Sequence, residues 1–271
     1  MAHILTDTSL PTLARAVEIS RSEMLRNYGR SPRGECYEGA DLLRVYTGVP
    51  EPFFNGVLRA RLAPERVDEA IDAATAYFAE KRAVWGWVVG PEPEPADLER
   101  RLVARGLVAG HAGTGMGADL EAIGEGCPPP AGLEIVRVGD AETLATFVAT
   151  YVAGFGMAAA VVAPMTALEQ SAGWGEGLPY RRFLGFLGGQ PVATTALFLG
   201  EQVAGIYHVS TVPAARRQGI GTALTRRALL EARAAGYRVA VLHASEAGRR
   251  IYRTLGFREC TVLKEYVPAG G

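Results

Sequence analysis

The residues best suited to chemistry lie together at Val209–Leu224, which reads VSTVPAARRQGIGTAL. A β-branched run enters Pro213, which has no N–H to give to a sheet ladder and so helps to end it. The basic pair Arg216-Arg217 follows, and Gln218-Gly219-Ile220-Gly221-Thr222 opens a helix. Glycines at 219 and 221 let a ligand reach the backbone with no Cβ in the way. The first amides of such a helix have no intrahelical acceptor and stand at the positive end of its dipole. The turn suits a pyrophosphate. One exposed charge at a helix terminus gains only ~0.3–1 kcal/mol, so several amides must act together.

Two familiar phosphate motifs do not fit. A kinase-type P-loop needs Gly-Lys-Ser/Thr, whereas Gly221 is followed by Thr222-Ala223. A dinucleotide fingerprint would place its third small residue at Leu224, and the next strand ends in Leu242-His243 without a ribose-binding acid. A glycine-rich helix entrance with no ligand is the bland alternative.

The company this turn keeps is more specific. R-x-x-G-x-G at Arg216, Gly219 and Gly221, after a strand ending in Val212-Pro213, resembles the acyl-CoA binding motif of the GNAT superfamily of N-acetyltransferases. Ser245–Phe257 (SEAGRRIYRTLGF) resembles the family's second motif, in which a helix bearing a Tyr precedes Leu-Gly-Phe. The resemblance covers about half the chain, from Leu133 to Val267. It implies that the backbone of Ser210, Thr211 and Val212 pairs with the pantetheine arm of acetyl-CoA, the cosubstrate. It also implies that Arg216, Arg217, Gln218, Gly219, Ile220, Gly221 and Thr222 cradle the pyrophosphate, with no metal. Tyr252 matches the Tyr that protonates the departing thiolate. A phenol of reference pKa ~10 is close enough to an alkyl thiol for that task. Two positions depart from the family pattern: Ser245 stands where Asn is frequent, and Gly248 where Ala is frequent. Ser245 can still bond the cofactor or cap the helix.

A protonated amine cannot attack a thioester, so its proton needs an acceptor. His208, on the strand entering the turn, has a reference pKa of ~6.5 and is one candidate. His243 ends the next strand and is another. Glu169, Glu176 and Glu201 lie in segments that could line an acceptor site, and a water chain without a dedicated base stays open.

These groups need a scaffold, and the patterning supplies one. Leu133–Val138, Tyr180–Leu187, Pro191–Leu199, Val203–Val212, Arg238–Leu242 and Arg258–Tyr266 are strand-like; Ala141–Ala153, Ala158–Ala172, Gly219–Ala235 and Ala247–Leu255 have helical spacing. The order predicts an α/β fold with a mixed, partly parallel sheet flanked by helices, as the GNAT resemblance also implies. Before it, Gly124–Gly132 (GEGCPPPAG) has three prolines that neither helix nor central strand accepts. The expected division is residues 1–123, a linker at 124–132, and a catalytic domain at 133–271.

The first half echoes the second at an offset near 150 residues. Leu62-Ala63-Pro64 and its helix match Thr211-Val212-Pro213 and its helix. Trp85–Val89 matches the strand near Val239, and Leu98–Leu107 matches Arg249–Phe257. The reading is two tandem GNAT-like domains, the first degenerate. Its stretch Ala63–Glu69 has no glycine, and Glu65, Asp68 and Glu69 would set negative charge where a pyrophosphate belongs. Leu102 stands near the position of Tyr252. Ahead of the repeat, Thr12–Asn27 has helical spacing and Cys36–Tyr46 reads as a hairpin turned at Glu38-Gly39.

In 271 residues of net charge −1 there is no global field to draw nucleic acid or an anionic membrane. Cys36, Cys127 and Cys260 are far apart, which fits neither a zinc site nor a disulfide framework. The most apolar stretch, Met157–Met165, is too short to span a bilayer. The expectation is a cytoplasmic acyl-CoA-dependent N-acyltransferase, acting on a primary amine of a small molecule or peptide, with no nucleic-acid or membrane partner and with a homodimer allowed. The alternative is a non-catalytic acyl-CoA-binding sensor or interaction module.

Overall fold

The structure, a computed structural model, describes residues 4–124 and 128–270. Glu125, Gly126 and Cys127 of the expected linker lie outside the described residues. The chain opens with α1 (Leu10–Gly29), then β1 (Glu35–Glu38), β2 (Leu43–Tyr46), β3 (Gly56–Leu58), α2 (Val67–Glu80), β4 (Gly86–Val89), α3 (Leu98–Ala104) and β5 (Leu107–Asp119). The second half runs β6 (Leu133–Arg137), α4 (Ala141–Phe155), α5 (Val162–Ala172), β7 (Tyr180–Leu187), β8 (Gln190–Leu199), β9 (Ala204–Thr211), α6 (Ile220–Ala234), β10 (Val239–Ala244), α7 (Glu246–Thr254) and β11 (Arg258–Pro268). The strands and helices expected in the second half all form within a residue or two of the expected bounds, except that the helix expected from Ala158 begins at Val162 after a 3-10 turn at Ala159–Val161. No described helix is long and apolar enough to cross a membrane.

All described strands join one mixed sheet in the order β1-β2-β3-β4-β11-β5-β10-β9-β8-β7-β6. The centre of that order is symmetric. β3 and β4 are parallel neighbours, as are β9 and β10, and the antiparallel pair β11 and β5 lies between them. The last strand of each half therefore sits inside the other half. β5 separates β10 from β11, and β11 separates β4 from β5. The sheet is continuous across the expected boundary at residues 124–132.

β5 reads LVAGHAGTGMGAD, and its glycines hide it from any hydrophobic-period reading. Packing explains two of them. A Cβ on Gly115 would lie 2.5 Å from Thr261 Cγ2 and 3.0 Å from Val17 Cγ1, and one on Gly117 would lie 2.8 Å from Leu13 Cδ2. Bare backbone here lets α1 lie directly on the sheet, where Leu13, Val17, Met24, Leu25 and Tyr28 are buried. One large cluster contains these α1 residues together with those of α4 and α5. Two others hold the α6–α7 and α2–α3 contacts to the sheet.

Local signals set the helices that carry the site. Asp140 and Thr143 form a reciprocal capping box at the start of α4, and Gly156 ends it at φ 69°. Ser245 caps α7, its Oγ accepting from Gly248 N at 3.2 Å.

Candidate active site

The site is built where two parallel strands part. β9 and β10 pair only at Ala204/Ala240, Gly205/Val241 and Ile206/Leu242. Beyond Ile206, Tyr207–Thr211 stay alongside β8 and, among the described residues, have no strand partner on the β10 side. At the fork, His208 stands at φ 50° where the β8–β9 register shifts between Thr194 and Ala196. Such a bulge bends the strand and re-aims its side chains. Thr194 Oγ1 donates to the His208 carbonyl at 2.7 Å and shares a 2.8 Å hydrogen bond with Ser210 Oγ. The Ser210 hydroxyl is thus spent inside the sheet.

His208 is buried among Tyr151, Phe54, Tyr180 and Phe147. Neither ring nitrogen has a hydrogen-bond partner among the described residues. Burial pushes its imidazole down to about 4; the Glu169 carboxylate opposes that shift and Arg182 adds to it. Glu169 Oε1 lies 3.6 Å from His208 Nδ1. Glu169 is fully buried. It accepts from the Tyr28 hydroxyl at 2.7 Å and from Arg182 Nε at 2.6 Å, with Arg182 Nη2 also in contact. A charge so buried is tolerated only when paired and hydrogen-bonded.

Tyr252, on α7, is 8% exposed and packs edge-on against Phe257. Burial raises its phenol to about 12. Tyr252, His208 and Ser245 line one cavity of about 440 Å³. His243 lines it too, and burial followed by the nearby Arg21 pushes its imidazole down to about 3. Of the three expected glutamates none lines this cavity: Glu169 lies behind His208, Glu201 pairs with Arg26 at 2.7 Å, and Glu176 is exposed elsewhere.

The glycine-rich turn lies at the far end of β9. A short 3-10 turn, Pro213–Ala215, leads into Arg216, Arg217 at φ 62°, Gln218 and Gly219 at φ 78°. Gly219 occupies the N-cap of α6 without a side chain to cap it, so the first amides of the helix have no capping partner. A Cβ on Gly221 would meet nothing nearer than Thr211 Oγ1 at 3.5 Å, so the fold itself does not require glycine there. Arg217 and Gln218 are exposed. Arg216 is committed differently: its Nε donates to Thr211 O at 3.1 Å and its Nη2 to Gly154 O at 2.8 Å. It fastens the turn to the last turn of α4, where its charge also suits the helix dipole.

Residues of the first half form the opposite wall of the cavity. Arg21 of α1 pairs with Glu265 of β11 at 2.9 Å and lies over the Phe53 ring at 4.7 Å. Glu51, Phe53 and Phe54 come from the loop before β3. Asn55 fixes that loop: its Oδ1 accepts from Thr47 N at 2.9 Å, and its Nδ2 donates to Val49 O at 2.7 Å and Val84 O at 3.0 Å. Sequence reading did not reach Arg21, Glu51 or Glu265, because nothing in their spacing links them. Of the two neighbouring rings, Phe54 is packed in the core, 1% exposed, while Phe53 is half-buried at the cavity.

The matching place in the first half is closed. The 3-10 turn Pro64–Arg66 runs straight into α2, with none of the four residues that separate Ala215 from Ile220. Arg105 contacts Asp68 and Asp72 at the start of that helix. Beyond β3 and β4 the chain zips again through an Arg61/Glu94 bridge and a Leu62 N to Glu94 O hydrogen bond of 3.1 Å.

Comparison with known proteins agrees with this architecture. The family model described as "Acetyltransferase (GNAT) domain" matches residues 201–260. A GCN5-related N-acetyltransferase from Kribbella flavida superposes with a TM-score of 0.73 at 22% identity, covering 95% of this chain and 96% of that one. One from Sphaerobacter thermophilus gives 0.61 at 14% identity, over 98% and 94%. A tandem GNAT protein from the clavulanic acid biosynthesis pathway gives 0.59 at 14% identity, over 99% and 98%. No curated protein matches the sequence. The chain has the GNAT fold, and residues 201–260 are similar to the GNAT acetyltransferase domain.

Proposed function

We propose that the chain is an acetyl-CoA-dependent N-acetyltransferase with one active site, in residues 133–271, and a primary amine as acceptor. The observation that carries this reading is the fork between β9 and β10. It joins a free strand edge, a helix N-terminus with uncapped amides, and a cavity lined by Tyr252 and His208. The residues present fit the cosubstrate. Gly219 supplies the left-handed turn, and Gly221 leaves open the space that a side chain would fill. Ser210 and Thr211 lie along the fork, whereas Val212 spends its N–H on Val192 O and its C=O on Ala215 N; Arg217, Gln218, Ile220 and Thr222 complete the turn. Arg216 acts by holding the turn in place, and Ser245 by capping the helix that presents Tyr252.

Acetyl-CoA supplies a thioester carbonyl open to attack by an amine. The amine nitrogen forms the new bond to the carbonyl carbon and the C–S bond breaks. Tyr252 gives its phenolic proton to the departing sulfur. Burial keeps that phenol protonated at neutral pH, as a donor must be. His208, neutral for the same reason, takes the amine's proton on a ring nitrogen, with Glu169 close enough to stabilise the imidazolium. Residues 1–123 act as a degenerate GNAT-like half that walls the acceptor side. Amine-dependent, multiple-turnover release of CoA thiol from acetyl-CoA tests the reading. Tight binding without such release would make the chain an acyl-CoA-binding module.

A further inference from the structure

One carboxylate that lines the cavity has no partner among the described residues, and the exposed imidazole of His111 lines the same space. Arg21 and Glu265 neutralise each other across 2.9 Å. Burial keeps His208 and His243 uncharged at neutral pH. Glu51 faces the same space with no ion pair or side-chain hydrogen bond among the described residues. Burial raises its carboxyl from its ordinary value, and no neighbouring cation opposes that. Glu51 is partly buried, and a partly buried carboxylate without a partner is stabilised by an incoming cation.

The rest of this wall is apolar and aromatic. Phe53 and Tyr151 line it with Met157, and Phe155 lies at it while 53% exposed. These side chains leave room for a flat or hydrocarbon body beside the carboxylate. The loop that carries Glu51 and Phe53 is held by the buried Asn55, so the backbone bearing both side chains is set before any ligand arrives.

Building on the transferase reading, we propose that the acceptor is a mono-cationic primary amine on an apolar, aromatic-sized body, selected by Glu51 and Phe53 of the first half. Glu51 takes the ammonium, and Phe53, Tyr151 and Met157 take the body. A polyamine or an aminoglycoside would bring several cations to a cavity that offers one free carboxylate. The first half thereby sets specificity, while the second half holds the cosubstrate.

The probe is 2-phenylethylamine, compared with spermidine, kanamycin and a lysine-containing peptide, on the full chain. Two readouts separate recognition from turnover. Calorimetry on the CoA-loaded protein should show 2-phenylethylamine binding, with Glu51→Gln weakening it about tenfold or more, the loss expected for one charge-assisted hydrogen bond. Steady-state rates should favour 2-phenylethylamine in kcat/KM, with Glu51→Gln and Phe53→Ala raising the amine KM and leaving the acetyl-CoA KM unchanged. Binding of the amine without turnover would sink the transferase reading and keep this one. No binding of 2-phenylethylamine, a preference for spermidine, kanamycin or the peptide, or an amine affinity indifferent to Glu51→Gln would overturn it.

Discussion

The backbone N–H of Leu62 donates to the carbonyl of Glu94 at 3.1 Å, and this contact closes in the first half the fork that stays open in the second. By the offset of the repeat, Leu62 corresponds to Thr211, whose strand has no partner on that side. The two halves thus share strand order and differ where a ligand would enter.

One acyl-CoA site per chain follows. Isothermal calorimetry with CoA should give a stoichiometry of one. Gly221→Glu should abolish the binding, because it places both a side chain and a negative charge at the entrance of α6. A stoichiometry of two would contradict the closed first-half fork.

The strand exchange predicts that the second half does not fold alone. In a fragment spanning Pro130–Gly271, β11 loses both neighbours, since β4 and β5 belong to the first half, and one edge of β10 is bared. Unpaired, largely buried strand edges favour aggregation. Far-UV circular dichroism and urea titration should find no cooperative transition in the fragment, and co-expression with residues 1–124 should restore it. A cooperative transition in the fragment alone would contradict the account.

His208 predicts a specific pH dependence of stability. Its folded pKa, about 4, lies below the reference value of 6.5. Between these values the unfolded chain holds more protons, so stability is full above about pH 6.5 and falls as pH drops toward about 4. His243, lowered to about 3, acts in the same direction. From pH 7.5 to 5 the wild type should lose on the order of 2 kcal/mol more than His208→Gln, measured by urea unfolding. Equal losses would show that His208 takes up protons as freely folded as unfolded.

How much of this was legible beforehand depends on how local each signal is. Gly219 advertises the turn through the left-handed backbone that favours glycine, Gly221 through space that a ligand, and not the fold, would need, and Tyr252 through a short motif further along the chain. The second-half elements were readable because their apolar periods are clean. β5 was not, because its contacts are made through bare backbone against Leu13 and Val17. Glu51, Arg21 and Glu265 come together from a loop, a helix and the last strand, and no spacing encodes that meeting. The role of Arg216 was legible as a charge at the turn. Its bonds to Thr211 and Gly154 carbonyls emerged only with the packing of α4.

The most direct test of the account is Tyr252→Phe, which removes one oxygen and keeps the ring packed against Phe257. The measurement is kcat for amine-dependent thiol release, with CoA affinity determined on the same preparation. The account predicts a fall in kcat on the order of 10²–10⁴-fold with affinity unchanged. Wild-type turnover in the variant, with chemistry as its slow step, would contradict the assignment of Tyr252 as the acid of a working transferase.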